Sequence, residues 1–246
     1  MLDRLHAKHF ALETIVDDEG ESRLALKDLQ DTQLSPLFVD FTSGALLHRL
    51  KHGLSKNQPL AKALGLKSLT PEHAPFVIDA TAGLGTDTLV MAALGCRVRA
   101  IERSDVIYEL LFDGKNRLDE KVQASEDEAL ILLSQRFSFE HGDSKEIIGS
   151  LSEIDRPDVI YLDPMYPDEG RSKSALPKKP MQMFRRLLDG DDDAEVLWTL
   201  AMQKAKKRVV VKRPLKAPAL GTSKPTHSFE GKTARLDLYL SLNQVI

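Results

Sequence analysis

Apolar and polar positions follow two different patterns along the chain, and the change falls near residue 70. Before that point, residues 10–16 and 22–27 alternate between apolar and polar side chains on either side of a polar turn, which predicts a β-hairpin. Residues 37–41 predict a further short strand, and residues 43–52 and 58–66 predict short helices. Residues 1–70 are therefore predicted to form a small N-terminal α+β cap.

From residue 71 to residue 246, short apolar runs alternate with stretches of helical periodicity. The apolar runs lie at 76–79, 98–101, 137–140, 158–162 and 208–211, and the helical stretches at 86–95, 105–118, 125–135, 144–152 and 180–206. Strands separated by helices of this size predict a mostly parallel sheet with helices on both faces. Only a tight connection separates residues 227–231 from 234–241, which predicts an antiparallel hairpin closing a seven-stranded α/β domain.

Composition excludes several classes of protein. The 246 residues are 42% hydrophobic, which is enough to bury a core without disulfides. Cys96 is the only cysteine, and the seven histidines show no metal-ligand spacing, so no metal site is predicted. No run approaches the ~18 consecutive apolar residues of a membrane span, and the first ten residues contain no apolar signal-peptide region. We therefore expect a soluble, cytoplasmic protein that does not contact a membrane.

Charge is distributed unevenly, although the net charge is only −3. Residues 171–216 contain thirteen Lys or Arg against five Asp or Glu, and residues 41–70 contain five basic residues and no acidic one. Clustered cations of this kind are typical of a surface that contacts nucleic-acid phosphates. Solvated loops and helix faces would give the same composition.

The connection after the first apolar run of the second part has the composition of a nucleoside-binding turn. Gly83 and Gly85 allow a tight turn and close approach to a ligand, and Thr86 or Asp87 can cap the following helix. Glu102, at the end of the next strand, can accept hydrogen bonds from both ribose hydroxyls. A dinucleotide is disfavoured, because Thr88 replaces the third glycine of that fingerprint and Asp87 would repel a pyrophosphate.

The segment Asp79-Ala-Thr-Ala-Gly-Leu-Gly85 resembles motif I of the class I S-adenosylmethionine (SAM) methyltransferases, with Thr81 in place of the first glycine. The resemblance implies the Rossmann-like fold of that class, SAM as the cofactor, and contacts at Asp79, Gly83 and Gly85. It also implies that Asp143, at the end of the third strand, accepts a hydrogen bond from the adenine amino group. Asp143 or Ser144 would serve equally well as the N-cap of the next helix.

Asp163-Pro164-Met165-Tyr166 follows the fourth strand and is similar to the motif of amino-methylating members of that class, with Met165 in place of a second proline. The resemblance implies that Asp163 and the Pro164 carbonyl accept hydrogen bonds from an exocyclic amine and that Tyr166 stacks on its base. Acceptors aimed at both amine hydrogens return electron density to nitrogen and orient it toward the methyl group. Asp163 can also accept the proton that is lost.

Several segments together resemble the ribosomal RNA small subunit methyltransferase J family. They are Val39-Asp-Phe41, His48-Arg-Leu-Lys51, Leu60-Ala-Lys-Ala-Leu-Gly65, Asp79-Ala-Thr-Ala-Gly-Leu-Gly85, Gly95-Cys-Arg-Val-Arg99, Leu162-Asp-Pro-Met-Tyr-Pro167 and Arg208-Val-Val-Val-Lys-Arg-Pro214. The resemblance implies SAM-dependent methylation of the N2 amine of one guanosine in 16S rRNA, guanosine 1516 in the usual numbering. By matched position it implies cofactor contacts at Thr86, Asp87, Glu102, Arg103, Asp143, Ser144 and Asp163.

The partner implied by this resemblance is 16S rRNA or the 30S subunit, gripped by the N-terminal cap and by residues 171–216. Two alternatives stay open on the residues alone. The same fold could act on DNA, protein or a small molecule, or the chain could be an RNA-binding assembly factor without turnover. Gly83, Gly85, Glu102 and Asp163 favour an enzyme, since binding RNA requires none of them.

Overall fold

The computed structural model describes residues 9–17, 20–43, 47–48, 50, 53–68, 73–164 and 193–241. Within them the chain forms a two-stranded hairpin and a seven-stranded sheet. The strands are β1 (Phe10–Val16), β2 (Ser22–Asp28), β3 (Phe76–Asp79), β4 (Arg97–Glu102), β5 (Phe137–His141), β6 (Val159–Leu162), β7 (Arg208–Pro214), β8 (His227–Glu230) and β9 (Ala234–Leu240). The helices are α1 (Pro59–Leu64), α2 (Thr86–Ala93), α3 (Asp105–Gln123), α4 (Glu128–Gln135), α5 (Ser144–Ser150) and α6 (Ala194–Lys204), with a 3-10 helix at Leu66–Ser68.

The large sheet has the order β5-β4-β3-β6-β7-β9-β8. Strands β3 to β7 run parallel, whereas β9 pairs antiparallel with both β7 and β8. The seven-stranded α/β prediction and its C-terminal hairpin are confirmed. From β3 the chain builds outward in one direction through β4 and β5, and then in the other through β6 and β7. This reversal places a crevice at the carboxyl ends of the central strands, where ligands bind in sheets of this kind.

Both faces of the sheet are covered, as its nearly continuous apolar strands require. On one face, buried side chains such as Leu60 of α1, Leu89 of α2 and Leu110 of α3 pack on the strands. On the other, Ile148 of α5 and Trp198 of α6 form a second apolar cluster. This two-sided packing fixes the strand ends from which the site is built.

The predicted helices in this part are confirmed, with small shifts at their ends. The stretch at 125–135 is helical only from Glu128, because the Asp127 side chain accepts hydrogen bonds from the backbone N–H groups of Ala129 and Leu130 and caps α4 there. Of the stretch at 180–206, Ala194–Lys204 is helical. Residues 180–192 of that prediction lie outside the described residues.

The predicted hairpin is confirmed as β1 and β2, which pair from Phe10 with Asp28 to Val16 with Ser22. The short helix predicted at 58–66 is confirmed as α1. Of the helix predicted at 43–52, residues 47, 48 and 50 are helical and the others, apart from residue 43, lie outside the described residues.

The strand predicted at 37–41 is wrong beyond a single bridge between Leu37 and Leu26. Its backbone bonds to a helix instead of a strand, because Arg117 of α3 donates to the Val39 carbonyl. The following turn is closed locally, since the Asp40 carboxylate accepts from the Thr42 N–H at 2.7 Å.

This part of the cap packs directly on the large domain. Phe41 stacks on Phe139 with ring centroids 5.7 Å apart and meets Phe137 edge to face at 5.6 Å. Both phenylalanines belong to β5, an edge strand of the sheet. The domain boundary near residue 70 stays a prediction, because residues 69–72 lie outside the described part.

No helix among the described residues is long and apolar enough to cross a membrane.

Candidate cofactor and amine site

The turn between β3 and α2 is shaped by two glycines. Gly83 and Gly85 have φ values of 54° and 72°, in the left-handed region that other residues rarely adopt. Gly85 itself is the N-cap of α2, and no side chain caps the helix. The expectation that Thr86 or Asp87 caps α2 is therefore wrong. A Cβ at Gly85 would lie 2.9 Å from the Phe41 ring, which shows that Phe41 of the N-terminal cap packs closely against this turn.

Asp79, the last residue of β3, stabilises the turn through hydrogen bonds of its side chain. Its side chain is fully buried, and its two oxygens accept hydrogen bonds from the Thr81 N–H at 3.2 Å and the Thr88 hydroxyl at 2.6 Å. Burial raises the pKa of the Asp79 carboxyl to about 7. In the described structure, Asp79 holds the loop that faces the crevice, and its contact with a cofactor stays a prediction.

Glu102 occupies the position predicted for the ribose acceptor, at the carboxyl end of β4. One carboxylate oxygen accepts from the Gly83 N–H at 2.9 Å and the other from the Ser104 N–H at 2.8 Å. Burial raises the pKa of Glu102. The two backbone bonds fix the carboxylate beside the glycine turn, and each oxygen keeps a second lone pair for a ligand hydroxyl.

Asp143 and Ser144 lie at the start of α5, and both have structural partners. Asp143 is the N-cap, accepting from the Lys145 N–H at 2.8 Å, so the capping interpretation is confirmed. The Ser144 hydroxyl donates to the Ala80 carbonyl at 2.6 Å and thereby joins α5 to the end of β3. The adenine contact of Asp143 is not tested by these bonds and stays a prediction.

Arg103 lies at the same side of the crevice. Its guanidinium is 3.6 Å from Asp193, the residue before α6. Asp193 also pairs with Lys145, and this contact lowers the pKa of Asp193. These ion pairs tie the start of α6 to the ends of β4 and β5.

Asp163 and Pro164 directly follow β6 and face the turn between β3 and α2. The Asp163 N–H donates to the Thr81 hydroxyl at 2.6 Å. This bond explains why Thr81 stands where the general motif has glycine, because a glycine would have no hydroxyl to accept it. Pro164 is buried. Tyr166, predicted to stack on the base, lies outside the described residues.

A network of charged and polar groups joins the two halves of the crevice. The Lys212 ammonium of β7 lies 2.7 Å from Asp87 Oδ2 and 2.8 Å from Asp163 Oδ2. The buried Tyr161 hydroxyl donates to the same Asp87 oxygen at 2.7 Å. Asp87 thus does not present an uncompensated charge at the start of α2, so it would repel a pyrophosphate less strongly than the sequence predicts.

Part of this network is not predicted by the sequence. Lys212 belongs to the basic stretch 171–216 that is expected to contact RNA, and the structure pairs it with two carboxylates instead. Arg213 is buried and donates to the Pro218 carbonyl at 2.9 Å. Thr81 and Tyr161 could have been identified as site residues from the sequence, because both are polar residues within otherwise apolar or glycine-rich strand ends. Within the described ranges, no group of three or more His, Cys, Asp or Glu side chains is placed to hold a metal ion.

Comparison with known proteins shows the family to which the chain belongs. A family model described as SAM-dependent methyltransferase matches residues 4–241. Ribosomal RNA small subunit methyltransferase J of Pseudoalteromonas atlantica is 44% identical over 225 residues, covering 90% of this chain and 83% of the relative. The protein of the same name from Aeromonas hydrophila is 45% identical over 219 residues, with 89% and 84% covered. This chain belongs to the ribosomal RNA small subunit methyltransferase J family.

The fold of a SAM-dependent methyltransferase from Neisseria gonorrhoeae agrees with this membership. Its crystal structure is 33% identical, with a TM-score of 0.64, and the match covers 89% of this chain and 80% of that one. The expected fold class, the SAM dependence and the assignment as a methyltransferase are confirmed for this member of the J family.

The described residues fit SAM as the cofactor. The buried carboxylate of Glu102 lies at the strand end where a ribose can be held, beside a turn that glycines keep open. Asp87 and Asp163 add two further carboxylates against the single Lys212 ammonium. An excess of negative charge around the crevice favours a ligand that carries a sulfonium and an ammonium.

Proposed function

We propose that this chain transfers the methyl group of SAM to the N2 amine of a guanosine in 16S rRNA. The observation that carries the proposal is that Asp163, at the end of β6, is bonded to the loop of β3 through Thr81. That bond holds an amine-binding strand end against the cofactor loop. The names of the relatives in the J family support small-subunit rRNA as the substrate.

The cofactor half of the site is formed by the ends of β3, β4 and β5. Glu102 accepts from the ribose hydroxyls, and Asp143 with Ser144 faces the adenine. Contacts from Gly83, Gly85, Thr86, Asp87, Arg103 and Asp163 complete the predicted set, with Asp79 supporting the loop. SAM, when bound there, supplies an electrophilic methyl group attached to a positively charged sulfur.

The amine half is formed by Asp163 and the Pro164 carbonyl. These acceptors take hydrogen bonds from the two amine hydrogens and direct the nitrogen lone pair at the methyl carbon. With SAM bound, transfer would form a nitrogen–carbon bond and break the carbon–sulfur bond, and the electron pair of the broken bond would stay on sulfur. The nitrogen then loses one proton, for which Asp163 is the candidate acceptor.

The described surface offers a place for the RNA backbone at the same end of the sheet. Pro214 of β7 pairs with Ala234 of β9 there, next to the strand end that carries Asp163. Lys216 lies two residues after the end of β7 and Lys232 two residues before the start of β9, and both side chains are exposed. We infer that they contact phosphates flanking the target guanosine. Free 16S rRNA or the 30S subunit would be the partner, which places the reaction in the cytoplasm with the ribosome.

The test uses SAM labelled in its methyl group. The protein is mixed separately with 30S subunits and with naked 16S rRNA, both from cells lacking this gene, and with DNA and total protein as controls. We expect label in the RNA, recovered by mass spectrometry as N2-methylguanosine. Label in DNA or protein, or none in any sample despite SAM binding, would overturn the proposal.

Asp163→Ala tests the amine half. Removing the acceptor should lower the rate of methyl transfer by about 100-fold or more, while circular dichroism shows a folded protein. A turnover close to that of the wild type would show that the amine acceptors lie elsewhere.

Glu102→Ala tests the cofactor half. Loss of the ribose acceptor should weaken SAM binding by about 1.5–3 kcal/mol, as for other hydrogen bonds to a charged group, measured by calorimetry. Glu140→Ala, on the adjacent strand β5, removes a carboxylate that pairs with Arg99 and should leave SAM affinity unchanged. Equal affinities for the wild type and both variants would remove Glu102 from the site.

A further inference from the structure

Among the described residues, Lys212 joins the two halves of the crevice through its ammonium group. It projects from β7, pairs with Asp87 at the start of α2, and pairs with Asp163 at the end of β6. The three residues come from separate parts of the sheet, and their distances of 2.7 and 2.8 Å are those of charge-assisted hydrogen bonds.

We propose that Lys212 is a positioning residue for methyl transfer, holding Asp163 toward the amine with Asp87 as its second anchor. This inference rests on the proposed function of Asp163. It assigns to Lys212 no contact with the amine, the cofactor or the RNA.

Hydrogen bonds hold Asp163 both at its backbone and at its side chain. Its backbone N–H is held by Thr81, and its Oδ2 is held by Lys212. A carboxylate has about four acceptor sites, so the bond to Lys212 leaves acceptor capacity for an amine hydrogen. The bond to Lys212 restricts rotation of the Asp163 side chain about its Cα–Cβ bond and so helps to hold the acceptor in one direction.

The electrostatics give Lys212 a second effect. Asp87 and Asp163 both pair with its ammonium group. The negative charges of these two carboxylates also raise the pKa of the buried Asp79, and the Tyr161 hydroxyl donates a hydrogen bond to Asp87. Burial alone would lower the pKa of Lys212, but the attraction of Asp163 and Asp87 raises it above its usual range. Lys212 therefore stays charged at working pH, and by the same attraction it favours the ionised, accepting form of Asp163.

Lys212→Met tests the proposal, because methionine keeps most of the apolar stem and removes the charge. We expect kcat to fall about 10- to 100-fold, a range typical of lost positioning. SAM affinity, measured by calorimetry, should be equal to that of the wild type or tighter, since a cation near a cationic cofactor is removed. The acid limb of the pH–rate profile should also move to higher pH. A kcat within threefold of the wild type, or SAM affinity that falls in parallel with kcat, would overturn the proposal.

Lys207→Met is the matched control. Lys207 lies just before β7, at the opposite end of the strand, and pairs with Asp158 at the same distance of 2.8 Å. Its removal should change neither kcat nor the pH profile. If it lowers kcat as much as Lys212→Met does, the effect belongs to β7 packing and the positioning role fails.

Lys212→Cys gives a second variant and a rescue. Aminoethylation of the new thiol restores an ammonium at nearly the original length, and the native Cys96 is fully buried and protected from the reagent. Recovery of most of the lost kcat, together with the original pH profile, is the expected result. A folded, fully aminoethylated protein without recovery contradicts the proposal.

A measurement without RNA separates this inference from the proposed function. In carboxyl-labelled protein studied by NMR, the pKa of Asp163 should be higher in Lys212→Met than in the wild type. If the wild type methylates no RNA, the proposed function has failed whatever this result. If the pKa of Asp163 is the same in both proteins, the link between Lys212 and Asp163 has failed even when RNA is methylated.

Discussion

Asp79 shows how strongly a single buried carboxyl depends on its surroundings. It has no solvent exposure, and its two hydrogen bonds, to Thr81 and Thr88, do not compensate fully for the lost hydration. Burial, aided by the negative charge of Asp87 and Asp163, raises its pKa to about 7. The folded protein therefore binds a proton at this site more readily than the unfolded chain does.

Replacing Asp79 by asparagine should change the pH dependence of stability. Because the pKa of Asp79 rises from 3.8 to about 7 on folding, its contribution is most favourable below about pH 4 and is lost as the pH rises to about 7. The free energy of unfolding of Asp79→Asn, relative to that of the wild type, should therefore increase over this window and then level off, with a slope of up to about 1.4 kcal/mol per pH unit. Urea unfolding at several pH values checks this.

Asp31→Asn is the control for the substitution itself, since Asp31 is exposed in the folded protein. The same difference between Asp79→Asn and the wild type at pH 5 and pH 8 would contradict the prediction.

At the level of single residues, the sequence placed Glu102, Asp143 and Asp163 correctly at strand ends, because strand periodicity and chain order determine which residues follow each strand. It could not reveal the ion pairs of Lys212 with Asp87 and Asp163. Residue 212 lies 125 positions from Asp87 in the chain, and only the order of strands in the sheet brings them together.

At the level of elements, the contact between the N-terminal cap and α3 depends on one glycine inside a helix. Gly114 lies in the middle of α3, where glycine is unfavourable, and a Cβ there would lie 2.8 Å from Val39 Cγ1 and 3.0 Å from the Val39 carbonyl oxygen. The missing side chain lets the backbone of residues 39–41 lie directly on the helix. This close approach puts Phe41 behind the glycine turn of the site.

Gly114→Ala should therefore destabilise the protein, even though alanine favours helix formation by about 1 kcal/mol. Overpacking against Val39 should outweigh that gain and lower the free energy of unfolding by about 1–2 kcal/mol, measured by urea unfolding. Val39→Ala in the same background should recover part of the loss by removing Cγ1.

Gly149→Ala provides the comparison. Gly149 is also helical, in α5, and a Cβ there meets nothing within 4 Å, so this variant should be neutral or more stable. Equal effects of the two substitutions would show that the contact with Val39 does not matter.

The elements themselves were predictable because their patterns are local. The runs at 76–79, 98–101 and 137–140 became strands almost residue for residue, since buried parallel strands need continuous apolar segments. Residues 37–41 have an equally apolar composition but form no strand, because Arg117 and the aromatic rings of β5 bind them. That outcome depends on residues about 80 to 100 positions away, which no local pattern contains.

At the level of the whole molecule, charge separates along the sheet. Residues 105–135, which form α3 and α4 beside β5, contain eight Asp or Glu against three Lys or Arg. Residues 204–240, which include β7, β8 and β9 at the opposite edge of the sheet, contain ten Lys or Arg against Glu230 and Asp237, although some of the ten, such as Lys212 and Arg213, bond to groups within the protein. A polyanion is attracted to the second edge and repelled by the first, so RNA should approach from the side of β7 to β9.

Salt dependence of RNA binding measures this. Lys216→Gln and Lys232→Gln, each alone, should reduce the slope of log affinity against log salt concentration by about 0.7–0.9, the value for one lost phosphate contact. Lys206→Gln, exposed at the opposite end of β7, should leave the slope unchanged. Identical slopes for all four proteins would place the RNA on another surface.

The strand order has a consequence for how the chain is made. β9 follows every other strand of the sheet in the chain, yet it lies between β7 and β8. Until the ribosome has released β9, β7 presents an open edge and β8 has no neighbour to pair with. The sheet is therefore completed only after synthesis has passed residue 240. A truncated message that ends before the codon of that residue yields a chain with an exposed apolar strand edge. Such a chain is prone to aggregation and proteolysis and is not a partly active enzyme.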